Sequence, residues 1–111
     1  MRLCSQHQYA VIEMGANHIG EIAHLTKLAQ PTTAMVTNVN PVHIEGFGDL
    51  KGVAKGKSEI FQGLSDKGVA VLNRDDAFYA EFEALCKPHP IITFGQDNKA
   101  DVRADNVNLD Q

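Results

Sequence analysis

The sequence predicts an α/β fold, a three-layer sandwich around a mainly parallel sheet. Three observations lead there: short, nearly all-apolar runs that each stop at a polar residue, stretches of helical period between them, and loops rich in Asn, Pro and Gly. Runs of this kind are expected to be buried on both faces of a sheet, and helices between them imply right-handed crossovers.

Tyr9-Ala10-Val11-Ile12 is the first run, closed by Glu13, and predicts a strand near residues 8–13. Residues 21–29 have a helical pattern, with Ile22, Leu25 and Leu28 along one side and Pro31 just past the end. Thr33-Ala34-Met35-Val36-Thr37 is a second strand ending at Asn38, followed by a loop over residues 38–48. Asp49 suits the N-cap of a helix reaching about Leu64. Gly68-Val69-Ala70-Val71-Leu72 is a third strand ending at Asn73, and Asp75 or Asp76 is placed to cap a helix to about Cys86. Ile91-Ile92-Thr93-Phe94 is a fourth strand, closed by Gly95. The tail alternates weakly around Val102 and Val107, as an edge strand or the start of a further sheet. Parallel sheets bind ligands beyond the carboxyl ends of their strands. Glu13, the loop from Asn38, and Asn73 are therefore expected on one rim. With residues 1–7 as a ragged start and 101–111 as an unfinished edge, further material is expected on one or both sides of this 1–111 stretch.

A chain of 111 residues, 43% hydrophobic and 22% charged, makes one small domain or part of a larger one. The net charge of -4 and a pI near 5.6 argue against a nucleic-acid partner. No apolar run is long enough to span a bilayer, and the first residues do not read as a signal peptide, so no membrane partner is expected. Cys4 and Cys86 form neither a C-x-x-C pair nor a zinc spacing and read as free thiols in a reducing cytoplasm.

Four places could carry chemistry. Gly52-Val53-Ala54-Lys55-Gly56-Lys57-Ser58 looks like a phosphate-binding loop, but only three residues separate its glycines and it lies within a helical pattern. It is read as helix. Glu13, ahead of Gly15-Ala16-Asn17-His18, reads equally as a magnesium ligand and as a solvated strand-end carboxylate. His43, alone in its loop, reads as structural before it reads as functional; His7, His24 and His89 have no constellation. Lys57 falls on the stripe of Leu50, Val53, Ala54, Ile60 and Phe61, whereas Lys51 and Lys55 point elsewhere. The plain reading of Lys57 is a packed stem with a snorkelling ammonium.

Taken together, these residues resemble the Mur ligase family. The resemblance rests on Glu13-Met14-Gly15-Ala16-Asn17-His18-Ile19-Gly20-Glu21-Ile22, on Thr37-Asn38 followed by His43-Ile44-Glu45-Gly46-Phe47-Gly48, on Lys57-Ser58-Glu59-Ile60-Phe61, and on Asn73-Arg74-Asp75-Asp76. These segments are ordered and correctly spaced, and they match best the branch that adds D-alanyl-D-alanine. The resemblance implies part of a central ATP-binding domain of a cytoplasmic ligase in peptidoglycan synthesis. ATP would phosphorylate the carboxylate of UDP-N-acetylmuramoyl-tripeptide, and the amine of D-alanyl-D-alanine would attack the acyl phosphate to form an amide. It further implies Glu13 and His43 as magnesium ligands and Lys57 as the lysine the family carbamylates, whose new anion supports the metal. Asn38 would share the rim, with Asn17 and His18 near substrate. The family's G-[TS]-x-G-K-[TS] loop and its strand, expected before Glu13, do not occur in this sequence. The 111 residues alone are accordingly expected to be inactive, with apolar surface that favours self-association. Competing readings are another amide ligase of the superfamily, of tripeptide-stage, folylpolyglutamate or cyanophycin type, and a catalytically dead interaction module.

Overall fold

Local capping decides where the helices begin and end. The structure, a computed structural model, describes residues 3–41 and 44–109. Helix α1 (Glu21–Ala29) ends at Gln30, which turns left-handed at φ 49° just before Pro31. Strand β1 (Thr33–Val36) leads through a loop to the short helix α2 (Ile44–Phe47). Helix α3 (Leu50–Ser58) starts at Asp49, whose carboxylate accepts from the Gly52 N–H at 2.8 Å, as an N-cap should. It tightens into a 3-10 turn (Glu59–Gly63) and leads to β2 (Val69–Asn73). Helix α4 (Tyr79–Cys86), β3 (Ile91–Gly95) and the two-residue β4 (Val102–Arg103) complete the order. Asp76 opens α4 from outside: its Oδ1 accepts the Phe78 N–H, an Asx turn that starts three residues before the helix begins.

The strands lie in the order β1-β2-β3-β4, all parallel, with Thr33 opposite Val69, Ala70 opposite Ile91 and Phe94 opposite Val102. A sheet that advances one strand at a time through right-handed crossovers has all its helices on one face. Burial follows that rule. Ala34, Val36, Ala70 and Leu72 face the helical layer and pack with Ala54, Phe61, Leu64, Phe82 and Cys86. On the opposite face Met35 and Ile92 remain 49% and 45% exposed. The described residues thus build a parallel sheet and one helical layer. The expectation of strands buried on both faces is corrected to burial on alternate residues.

Two further expectations change. Residues 8–13 form no strand; Tyr9 and Val11 are 88% and 92% exposed. A strand exists only when an edge accepts its backbone, and among the described residues the outer edge of β1 accepts none. In α1 the buried side chains are Ile22 and Thr26, while Leu25 and Leu28 are exposed. The stripe runs i, i+4 rather than i, i+3, because the Thr26 hydroxyl donates to the Ile60 carbonyl at 2.7 Å and turns that face toward the 3-10 turn.

Candidate functional site

The carboxyl ends of the strands are joined by side chains. Asn73, last residue of β2, donates from Nδ2 to the Thr37 carbonyl beyond β1 at 2.9 Å. Its Oδ1 accepts the Asp75 N–H. The Asp75 carboxylate accepts the Gln96 and Asp97 N–H groups beyond β3, at 2.7 and 2.9 Å. Asp76 Oδ2 accepts the Val39 N–H at 2.8 Å. The turn after β2 therefore grips both neighbouring strand ends. Arg74 lies over the Tyr79 ring, 4.8 Å from its centroid, and donates to its hydroxyl. That hydroxyl donates to Glu83, and the bond, helped by desolvation, raises the tyrosine above its usual pKa.

Lys57 reaches the same rim. Val53, Ala54 and Phe61 of its stripe are buried, Lys57 is half-buried, and Lys55 is exposed. The Lys57 ammonium donates to the Asn38 carbonyl at 2.8 Å, so α3 delivers it to the end of β1. The apparent phosphate loop at Gly52 to Ser58 lies inside α3. A phosphate nest needs several N–H groups free to converge, and a helix interior commits them to its own carbonyls.

The loop after Glu13 meets α2. A Cβ added at Gly46 would stand 1.8 Å from the Asn17 carbonyl oxygen, so only glycine permits that approach. The Phe47 ring also packs on Gly56 of α3, 2.5 Å from where an added Cβ would stand. Asn17 donates its N–H to Glu21, and His18 Nδ1 lies 3.1 Å from the same carboxylate oxygen. Desolvation works to raise the Glu21 carboxyl, but the His18 and Asn17 hydrogen bonds hold it below the usual carboxylate range. Asn17, His18, Asn38 and Glu13 are all exposed. His43 lies outside the described residues. Among those described, no three His, Cys, Asp or Glu side chains gather to hold a metal. Lys57 and Asn38 are thus brought together, and Asn17 and His18 share a carboxylate. Glu13 stands in an unpaired segment rather than at the end of a strand.

One residue had no role assigned from sequence. Glu59 is 5% exposed, and its carboxylate accepts the Gly20 N–H with both oxygens, at 3.1 and 2.8 Å, and the Ala23 N–H at 3.1 Å. The available signal was the first turn of α1: Gly20, its N-cap, has no side chain to do this.

A model of the Mur ligase middle domain matches residues 2–111. The chain belongs to the Mur ligase family. Among curated Mur ligases, the UDP-N-acetylmuramoyl-tripeptide--D-alanyl-D-alanine ligase of Haemophilus influenzae is 42% identical over 107 residues, covering 96% of this chain and 23% of the relative. The Escherichia coli K12 ligase of the same name is 40% identical over 110 residues, covering 98% of this chain and 24% of its own. A crystal structure of MurF from Acinetobacter baumannii superposes with a TM-score of 0.87 at 40% identity, over 96% of this chain and 23% of that one. The chain therefore spans about a quarter of the length of these Mur ligases.

Proposed function

We propose that these residues serve in the central, ATP-using domain of a ligase that joins D-alanyl-D-alanine to UDP-N-acetylmuramoyl-tripeptide during peptidoglycan synthesis in the cytoplasm. The observation that carries the reading is the delivery of Lys57 to the Asn38 carbonyl at the strand-end rim, in a chain about 40% identical to ligases bearing that name. Bound ATP supplies the phosphoryl group that activates the tripeptide carboxylate, and magnesium neutralises phosphate charge there. Glu13 and His43 would hold the metal. The Glu13 carboxylate fits by its chemistry, since magnesium takes hard oxygen ligands, often only one or two from protein, and leaves other positions to phosphate and water; the His43 imidazole is a nitrogen donor and rests on the family resemblance. Glu13 is an exposed carboxylate with that capacity. As an ammonium, Lys57 cannot ligate a cation. Its neutral amine, on taking up carbon dioxide and losing a proton, would become a carbamate anion able to support the metal. Asn17 and His18 would lie near the substrate, and Asn38, through its carbonyl, orients Lys57.

The test uses the full ligase carrying this domain. Lys57→Ala is expected to abolish most amide formation, Lys55→Ala to leave it nearly unchanged, and a small carboxylate in solution to restore part of the Lys57→Ala activity. Equal activity of the two variants overturns the assignment. Failure of rescue alone leaves the position and withdraws the support that rescue would give the carbamate.

A further inference from the structure

Three residues at the junction of α3 and its 3-10 turn hold two separate parts of the molecule, the loop after β1 and helix α1. Lys57 takes the Asn38 carbonyl after β1. Glu59 takes the Gly20 and Ala23 N–H groups at the start of α1. Ile60 offers its carbonyl to Thr26, further along α1. The 3-10 turn is also the main packing partner of α1. Of the two charged members of this set, Lys57 is half-buried and Glu59 is almost fully buried. A buried carboxylate is costly unless hydrogen bonds satisfy it, and the donors here come from a segment nearly forty residues earlier in the chain.

The position of those donors matters. Gly20 closes the loop that begins at Glu13 and carries Asn17 and His18, and its φ of 97° leaves the chain strained for any residue with a side chain. Further back in that loop, Asn17 abuts Gly46 of α2. The loop is therefore pinned at its end by Glu59 and braced at its middle by α2, while Lys57 sits two residues before the pin. We infer that Glu59 is a positioning residue: by capping α1 from the far end of α3, it sets the Glu13–Gly20 loop at a fixed place relative to Lys57. A capping side chain at residue 20 could accept the Ala23 N–H, at the cost of backbone strain, but would leave the loop free to move with its own helix. A cap borrowed from the turn after Lys57 makes loop and lysine one unit. The inference rests on the proposed role of Glu13 and Lys57, but the tether itself is independent of it.

The experiment has a spectroscopic arm and a kinetic arm. In the 111-residue chain, amide hydrogen exchange is expected to show the Gly20 and Ala23 N–H groups protected. Glu59→Gln keeps the shape but turns one acceptor oxygen into a donor. It should speed exchange at Gly20 and Ala23 at least tenfold and shift the amide signals of residues 13–18, while the Val71 and Leu72 amides in the sheet stay as they were. Should that variant lose its dispersed spectrum, Glu59→Asp, which keeps both oxygens on a shorter stem, is read in the same way. Unprotected Gly20 and Ala23 in the unsubstituted chain overturn the tether. Faster exchange at those two amides without movement of residues 13–18 reduces Glu59 to a helix cap and overturns the positioning role. In the full ligase, Glu59→Gln should raise the magnesium concentration for half-maximal rate about tenfold while the KM for D-alanyl-D-alanine stays within about twofold. A rate lowered with no change in magnesium dependence overturns the positioning role even where the spectroscopic tether holds. If Glu13 and Lys57 do not serve catalysis, their own substitutions leave the ligase active and the spectroscopic arm stands unchanged.

Discussion

Burial pushes the Cys86 thiol up to about 11, while Cys4 is exposed. A raised acid is neutral in the folded chain, so it contributes stability below its unfolded value, near 9, that is lost as pH rises toward 11. Under native conditions near pH 8, a thiol reagent is expected to modify Cys4 alone and to reach Cys86 only in denaturant; rapid native labelling of both would count against the burial. Asp49→Ala should cost about 1 kcal/mol in urea unfolding, the usual loss for an N-cap. At this scale the sequence was legible where the partner is local. Asp49 caps a backbone three residues away, and helical spacing alone separated Lys57 from Lys55. Glu59 was not legible, because its donors lie 39 and 36 residues back and only tertiary packing brings them near. His43, prominent in the motif, falls outside the described residues.

Elements bounded by breakers could be read closely from sequence. Pro31 and Gly95 mark ends that the structure places at Gln30 and at β3, and the apolar runs from Thr33, Gly68 and Ile91 each became strands. Residues 8–13 could not be read, because apolar character predicts burial but does not supply the edge that pairs. Nor could the face of α1, since Ile22, Leu25 and Leu28 fit a helical stripe as well as Ile22 and Thr26 do; the Ile60 carbonyl decides between them. Thr26→Val should therefore cost roughly 1–3 kcal/mol by leaving that carbonyl without its donor. Leu28→Gln, at a position 73% exposed, should fall within about 0.5 kcal/mol of the parent. Equal losses for the two in chemical denaturation would place the buried stripe elsewhere.

Across the whole molecule, the helical layer covers one face of the sheet and leaves Met35 and Ile92 half-exposed on the other. Apolar surface left open in this way favours association. Sedimentation of the chain should show mass rising with concentration, and the double substitution Met35→Lys and Ile92→Lys should lower that trend; a concentration-independent monomer would argue against it. The rim has a different consequence. Because Asn73, Asp75 and Asp76 reach sideways to Thr37, Val39, Gln96 and Asp97, the first residues after β1, β2 and β3 are tied to one another. An insertion among those first residues misaligns the neighbouring strand ends, so this stretch of each loop can change only in concert with the others. The turn at Asp66 and Lys67, exposed at the opposite end of the strands, is closed by the Gly68 N–H on the Ser65 carbonyl, and among the described residues neither its Asp66 nor its Lys67 side chain ties it to a neighbouring loop. One glycine inserted there should lower Tm far less than one inserted after Asp75, and a lineage of such domains should vary freely in length at one end of its sheet while the other end keeps its count.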